Sequence, residues 1–95
     1  MSVATNTQPS FHAQDQFKDR VSTDVTLIES CWWDGDDVEV DGKDYEIARL
    51  YDGPLTDKSF VMFAFEAKGN VAKECDYIIR TVIDADGLWD RIERQ

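Results

Sequence analysis

The sequence predicts an α+β domain: an N-terminal helix, a small antiparallel meander of about three strands with a hairpin turn at 41–42, and one or two C-terminal helices. Three observations carry this expectation. Phe17, Val21, Val25, Ile28 and Trp32 recur at steps of four, four, three and four, which is one stripe of a helix. Asp41-Gly42 stands between two runs of alternating residues. A two-residue turn of type I′ needs positive φ at both central positions, which Asp and Gly accept. Ser59 to Ala67, SFVMFAFEA, is apolar on both faces, as a central strand covered on either side requires.

Taken in order, residues 1–10 are small and polar and contain Pro9, which predicts a mobile tail ahead of a single domain at 11–95. The helix begins after Ser10, a good N-cap, and Gly35 suits its end. Its weak part is Val21 to Thr26, VSTDVT, where β-branched and turn-forming residues lower helix propensity. The rival reading is a short helix to Arg20 followed by a strand over 24–33. Trp32 and Trp33 are adjacent, so they point in different directions, one into the core and the other out. The hairpin strands lie near 37–40 and 44–51. With Asp41 and Gly42 as the loop, Val40 faces Lys43, Glu39 faces Asp44, Val38 faces Tyr45 and Asp37 faces Glu46. Residues 52–57 form a turn cluster, and the apolar strand after it needs helices over both its faces. Asn70 is an N-cap candidate, and Val71, Cys75, Ile78 and Val82 recur at four, three and four, which predicts a helix over 71–83. Its rival is a strand through 77–83, a stretch rich in β-formers. Leu88, Trp89 and Ile92 fit a short terminal helix with Arg91 and Arg94 near its C-terminus.

Charge is the strongest compositional signal. Twenty acids against ten bases give a net charge of −10 and a pI near 4.3. Such a field repels nucleic acid and anionic membranes and attracts basic proteins. No apolar run approaches the roughly 20 residues of a membrane span, and the first ten residues lack the apolar core of a signal peptide. An intracellular, cytoplasmic protein with reduced thiols is the expectation, and Cys31 and Cys75 read as core residues.

Catalytic chemistry finds little to work with. His12 is the only histidine, and it adjoins the tail. There is no Cys-x-x-Cys pair, no glycine-rich phosphate loop, and no calcium loop of the EF-hand pattern: in Asp84-Ala85-Asp86-Gly87 the glycine comes two places early. The expectation is a non-enzymatic protein with no cofactor and no metal.

What remains is a carboxylate array. Asp37, Glu39, Asp44 and Glu46 share the outward face of the hairpin, and Asp34, Asp36 and Asp41 stand at its ends, with Trp33 beside them. Like charges placed opposite one another destabilise a hairpin. Alternate residues on a strand are roughly 6.8 Å apart, the scale of neighbouring phosphates. The function this suggests is inhibition of a basic, nucleic-acid-handling partner by acidic mimicry, the mode expected of phage-encoded inhibitors of restriction or CRISPR machinery, acting in the host cytoplasm. The partner is then a basic protein surface such as a nucleic-acid-binding effector complex, not nucleic acid itself and not a membrane. The alternative is an interaction or assembly module, in one form a homodimer, anchored by Trp32 or Trp33, Tyr51 and Trp89, with the charge serving only solubility. An acidic surface adapted to high salt is the third reading.

Overall fold

The meander predicted around the hairpin is the middle of a larger sheet. The computed structural model describes the backbone of residues 7–41 and 43–94, and their side chains except at 43–46, 71 and 94. In chain order the elements are β1 (Thr7–Pro9), α1 (Phe11–Arg20), α2 (Leu27–Asp34), β2 (Asp36–Val40), β3 (Lys43–Tyr51), β4 (Phe60–Glu66), β5 (Tyr77–Asp84) and β6 (Ile92–Arg94), with 3₁₀ turns at Gly69–Lys73 and Trp89–Arg91. The strands form one sheet in the order β1-β5-β4-β3-β2-β6. All pairings are antiparallel except β1 with β5, which is parallel. The α+β content stands. The three-stranded meander with C-terminal helices is overturned: both α-helices lie before β2, and after β4 the described residues form β5 and β6 with 3₁₀ turns between them.

The single long helix expected from Phe11 is two helices. Ser10 caps α1, its hydroxyl accepting from the Ala13 N–H at 3.1 Å. At Val21 the backbone leaves the helical region, with φ −126 and ψ −67. The VSTDVT stretch folds into turns, and the Asp24 carboxylate accepts from the Thr26 N–H at 3.2 Å. The apolar stripe survives the break, since Phe17, Ile28 and Trp32 are buried and Val21 and Val25 pack against them. The rival strand over 24–33 is absent as well, because Leu27–Asp34 is α2. Of the residues expected as tail, Thr7–Pro9 pair with Tyr77–Ile79, and those before them lie outside the described residues.

The helix expected over 71–83 is β5, and a bulge explains the misleading spacing. Phe63 is opposite Thr81 while Ala64 is opposite Ile79, so β5 carries one residue more than β4 at that point. Ile79 and Val82 therefore both enter the core beneath the helices although they are three apart. An i, i+3 repetition of apolar residues is what a helix stripe looks like. The terminal helix expected from Leu88 is a 3₁₀ turn followed by β6.

One core lies between the helices and the sheet, where Phe17, Ile28 and Trp32 meet Phe60, Met62, Ile79 and Val82. The Phe17 and Phe60 rings pack edge to face at 5.4 Å. Among the described residues no α-helix covers the opposite face, contrary to expectation. Val38, Leu50 and Val61 form a second core there, and Ala85 and Ile92 bound the segment that crosses this face from β5 to the outer side of β2. Beyond β1 the outer edge of β5 is taken up by α1: Gln16 Oε1 accepts from the Val82 N–H at 2.8 Å, and the Arg20 guanidinium donates to the Val82 carbonyl at 2.7 Å.

Candidate functional site

The hairpin acids do not stand as one uninterrupted face. Asp41 has φ 56, as the first position of a tight reversed turn requires, and Val40 lies opposite Lys43. The register then shifts. Val38 pairs with Ala48, Asp37 with Arg49 and Asp36 with Leu50, so β3 advances five residues while β2 advances two. Asp37 thus faces Arg49 rather than Glu46, and Val38 faces Ala48 rather than Tyr45. The Asp37 carboxylate is 3.6 Å from Arg49 Nη1. Arg49 also donates to the Gly35 carbonyl at 2.5 Å and lies over the Trp32 ring at 5.5 Å. Glu39 lies opposite Glu93 of β6, a like-charge pair formed with a different strand from the one expected. The Asp41 carboxylate accepts from Arg91 Nε at 2.9 Å, and its N–H donates to the Arg91 carbonyl at 3.0 Å. That hydrogen bond holds the Arg91 guanidinium above its ordinary pKa. Gly42 and the side chains of Asp44 and Glu46 lie outside the described residues.

A different gathering of carboxylates emerges from the antiparallel register. β2 and β4 start, and β3 and β5 finish, at the same end of the sheet: Asp36 is opposite Leu50, Tyr51 opposite Phe60, and Phe60 opposite Asp84. Asp34 and Asp36 enter this end from α2 and β2, Asp52 and Asp57 from the β3–β4 connection, and Asp84 and Asp86 from the close of β5. Neighbouring strands are about 4.8 Å apart, so the acids are spread along the sheet end over the three strand widths from β2 to β5. Lys58, in the same connection, Arg20 and Arg49, bound to the Gly35 carbonyl between Asp34 and Asp36, oppose them. At the other end of the strands bases are interleaved with the acids: Lys43, Lys68, Lys73 and Arg91 stand among Asp41, Asp44, Glu66, Glu74, Asp76 and Asp90 in the chain.

Local bonds fix this acidic end. Ser59 donates its hydroxyl to Asp52, and the Asp86 N–H donates to Asp84 Oδ1 at 2.9 Å. The Tyr51 hydroxyl accepts from the Leu55 N–H at 3.0 Å. Gly53 lies so close to that ring that a Cβ there would sit 2.5 Å from the hydroxyl, so the loop carrying Asp52 and Asp57 is pinned on Tyr51. Tyr51 itself is only 3% exposed and is no surface anchor. Of the tryptophan pair, Trp32 is buried and Trp33 is 49% exposed, directly before Asp34 at this same end.

Asp52, Asp57, Asp84 and Asp86 were not among the candidate residues read from the sequence. The signal was present as two aspartate-rich breaks, DGPLTD and DADG. They join only if the chain between them makes two antiparallel strands, and reading 71–83 as a helix hides that.

The thiols are structural. Cys31 is fully buried, and burial, with Asp34 nearby, pushes its pKa up to about 11. Burial and then Glu74 and Asp76 also raise that of Cys75. His12 is exposed on α1. Among the described residues no group of three or more His, Cys, Asp or Glu side chains converges on a metal position, and no helix is long and apolar enough to cross a membrane. Comparison with protein families, curated proteins and solved structures finds no match.

Proposed function

We propose that this chain is a non-enzymatic binding protein that inhibits a basic, nucleic-acid-handling partner by presenting carboxylates where that partner receives phosphates. The observation that carries this reading is the shared end of β2, β3 and β5, where Asp36, Asp52 and Asp84 stand on or beside strand termini, with Asp34, Asp57 and Asp86 in the flanking turns. A net charge of −10 supplies the long-range attraction. The pinned loop and the rigid sheet hold the acids in fixed positions, which lowers the ordering cost of binding. Phage-encoded inhibitors of restriction or CRISPR machinery are the functional class this mode fits.

The hairpin contributes less than its composition suggests, because Asp37 and Asp41 engage Arg49 and Arg91. Asp34, Asp36 and Trp33 carry over from the expected set to the acidic end. The test is capture of binding proteins from a nuclease-treated lysate of the native host, with identification across a salt series. The expected result is a captured set dominated by basic nucleic-acid-binding proteins that elute as salt rises. A set of neutral proteins retained at high salt would overturn the reading.

A further inference from the structure

The sheet ends at β6, whose outer side has no neighbouring strand among the described residues. The opposite edge is closed differently: β1 contains Pro9, which has no N–H to offer, and α1 occupies the edge of β5 beyond it. The register shows which groups of β6 face outward. The Asp41 N–H donates to the Arg91 carbonyl, so these two form a hydrogen-bonded pair. Two residues on, Glu93 turns its N–H and C=O to Glu39 of β2. Ile92 and Arg94 alternate with them and direct their N–H and C=O away from the sheet. The side chains add a second signal. Val38 and Val40 belong to the second core and Ile92 packs against it, so Glu39 and Glu93 stand on the other face. Directly opposed like charges cost stability. Asp37, next along that face, has Arg49, whereas among the described residues neither Glu39 nor Glu93 is in an ion pair.

We propose that the outer side of β6 takes an extended segment of another protein as a seventh strand, with apolar and basic residues alternating and a Lys or Arg set against Glu93. The segment's backbone bonds go to Ile92 and Arg94. Its central residue then meets Glu93 in the closer, non-hydrogen-bonded kind of pair, with Cα atoms about 4.5 Å apart. A cation there lies beside Glu93 and one strand from Glu39, and supplies the opposite charge this row lacks. The residues on either side of it turn to the face of Ile92, where apolar side chains lengthen the second core. Charge excludes a second copy as occupant. Two β6 strands overlapped antiparallel through the same outward groups set Glu93 against Glu93, with Glu39 behind each. The site goes beyond the inhibitory reading and rests on other residues, since β6 lies beside the 38–40 part of β2, toward the hairpin turn, and includes none of the acids at the shared strand end.

The probe is a capped synthetic peptide of about seven residues, alternating valine and lysine with a lysine at its centre, long enough to span β6. It is titrated into the whole protein and followed by amide NMR and hydrogen exchange. The Ile92 and Arg94 amides shift and gain protection, while the Glu93 amide, already turned to β2, keeps the protection it had. Glu39→Gln with Glu93→Gln weakens binding about tenfold. Asp57→Asn with Asp84→Asn, the same loss of charge at the acidic end, weakens it far less, which separates the two sites. A peptide with glutamate in place of lysine does not bind. N-methylation of the two valines beside the central lysine removes their hydrogen bonds to β6, keeps every charge, and abolishes binding. Absence of binding, binding that survives N-methylation, unmoved Ile92 and Arg94 amides, or equal effects of the two double variants would overturn the proposal. So would a concentration-dependent dimer that protects those two amides without peptide, which would make a second copy the occupant.

Discussion

Asp37 and Arg49 are cross-strand partners, and their pairing turns a hairpin that reads as a double row of acids into one with a cation on its helix-facing side, over Trp32. Arg49 is the more deeply placed of the two, its side chain 13% exposed against 49% for Asp37. Its stem and guanidinium cover Trp32, and it closes the α2–β2 junction through the Gly35 carbonyl. Arg49→Ala is expected to cost about 2–3 kcal/mol through lost packing and an exposed junction. Arg49→Met, which keeps the stem, is expected to cost less. Asp37→Asn is expected to cost less than about 1 kcal/mol, as for other exposed pairs. Urea unfolding of the three variants checks this order.

Gln16 protects the edge of β5. Its Oε1 accepts from both the Val82 N–H, at 2.8 Å, and the Thr81 hydroxyl, at 2.5 Å. Gln16→Ala leaves a sheet-edge donor without its partner and is expected to destabilise by about 1–3 kcal/mol. The local signature is faster hydrogen exchange at the Val82 amide, with amides of β3 moving only as far as global stability moves.

Cys31 gives a pH dependence whose sign follows from burial. Its folded pKa of about 11 lies above its ordinary value of 9.0, so the folded state keeps the proton that the unfolded state releases. The thiol's contribution is fully present below pH 9 and is lost as pH rises toward 11, a loss of about 2–3 kcal/mol. Cys31→Ala removes that slope from the stability profile, at the cost of a small cavity at all pH values. Alkylation of the native protein at Cys31 is slow at neutral pH for the same reason.

The loop over Tyr51 links fold to function. Tyr51→Phe removes only the hydroxyl that accepts from the Leu55 N–H, and is expected to cost about 0.5–1.5 kcal/mol. It loosens the segment that holds Asp52 and Asp57, so partner affinity falls further than global stability does. Affinity and urea midpoint measured on the same variant check this.

Much of the architecture was readable from particular residues. Ser10 caps a helix, Asp41 turns a hairpin, and the doubly apolar SFVMFAFEA run is an interior strand. Two bulges concealed the rest. In β5 the extra residue near Arg80 puts Ile79 and Val82 on one face at helical spacing, so periodicity argued for the wrong element. Between β2 and β3 the slip past Lys43 replaces like-charge partners with Asp37–Arg49. Both are pairing effects set by a second strand, which a single strand's own pattern does not record. The acidic end was invisible for the same reason: Asp52 and Asp84 are 32 positions apart in the chain and become neighbours only through β4.

The acidic end should also be costly to stability. Asp52→Asn with Asp84→Asn keeps the oxygen acceptors that Ser59 and the Asp86 N–H use, while removing two like charges. Stability is expected to hold or to rise by about 0.5–1 kcal/mol, and added salt is expected to help the native chain more than this variant. Thermal unfolding at two ionic strengths checks it.

The most direct test of the central claim compares how partner affinity falls with salt when opposite ends of the sheet are neutralised. Asp57→Asn, Asp84→Asn and Asp86→Asn together are expected to flatten the slope of log Kd against log salt and to weaken binding at low salt. Glu66→Gln, Glu74→Gln and Asp76→Asn together, the same number of charges at the opposite end, are expected to leave the slope close to that of the unaltered protein. Equal slopes in both variants would show that the partner reads overall charge alone, and would contradict a binding surface built from the strand termini.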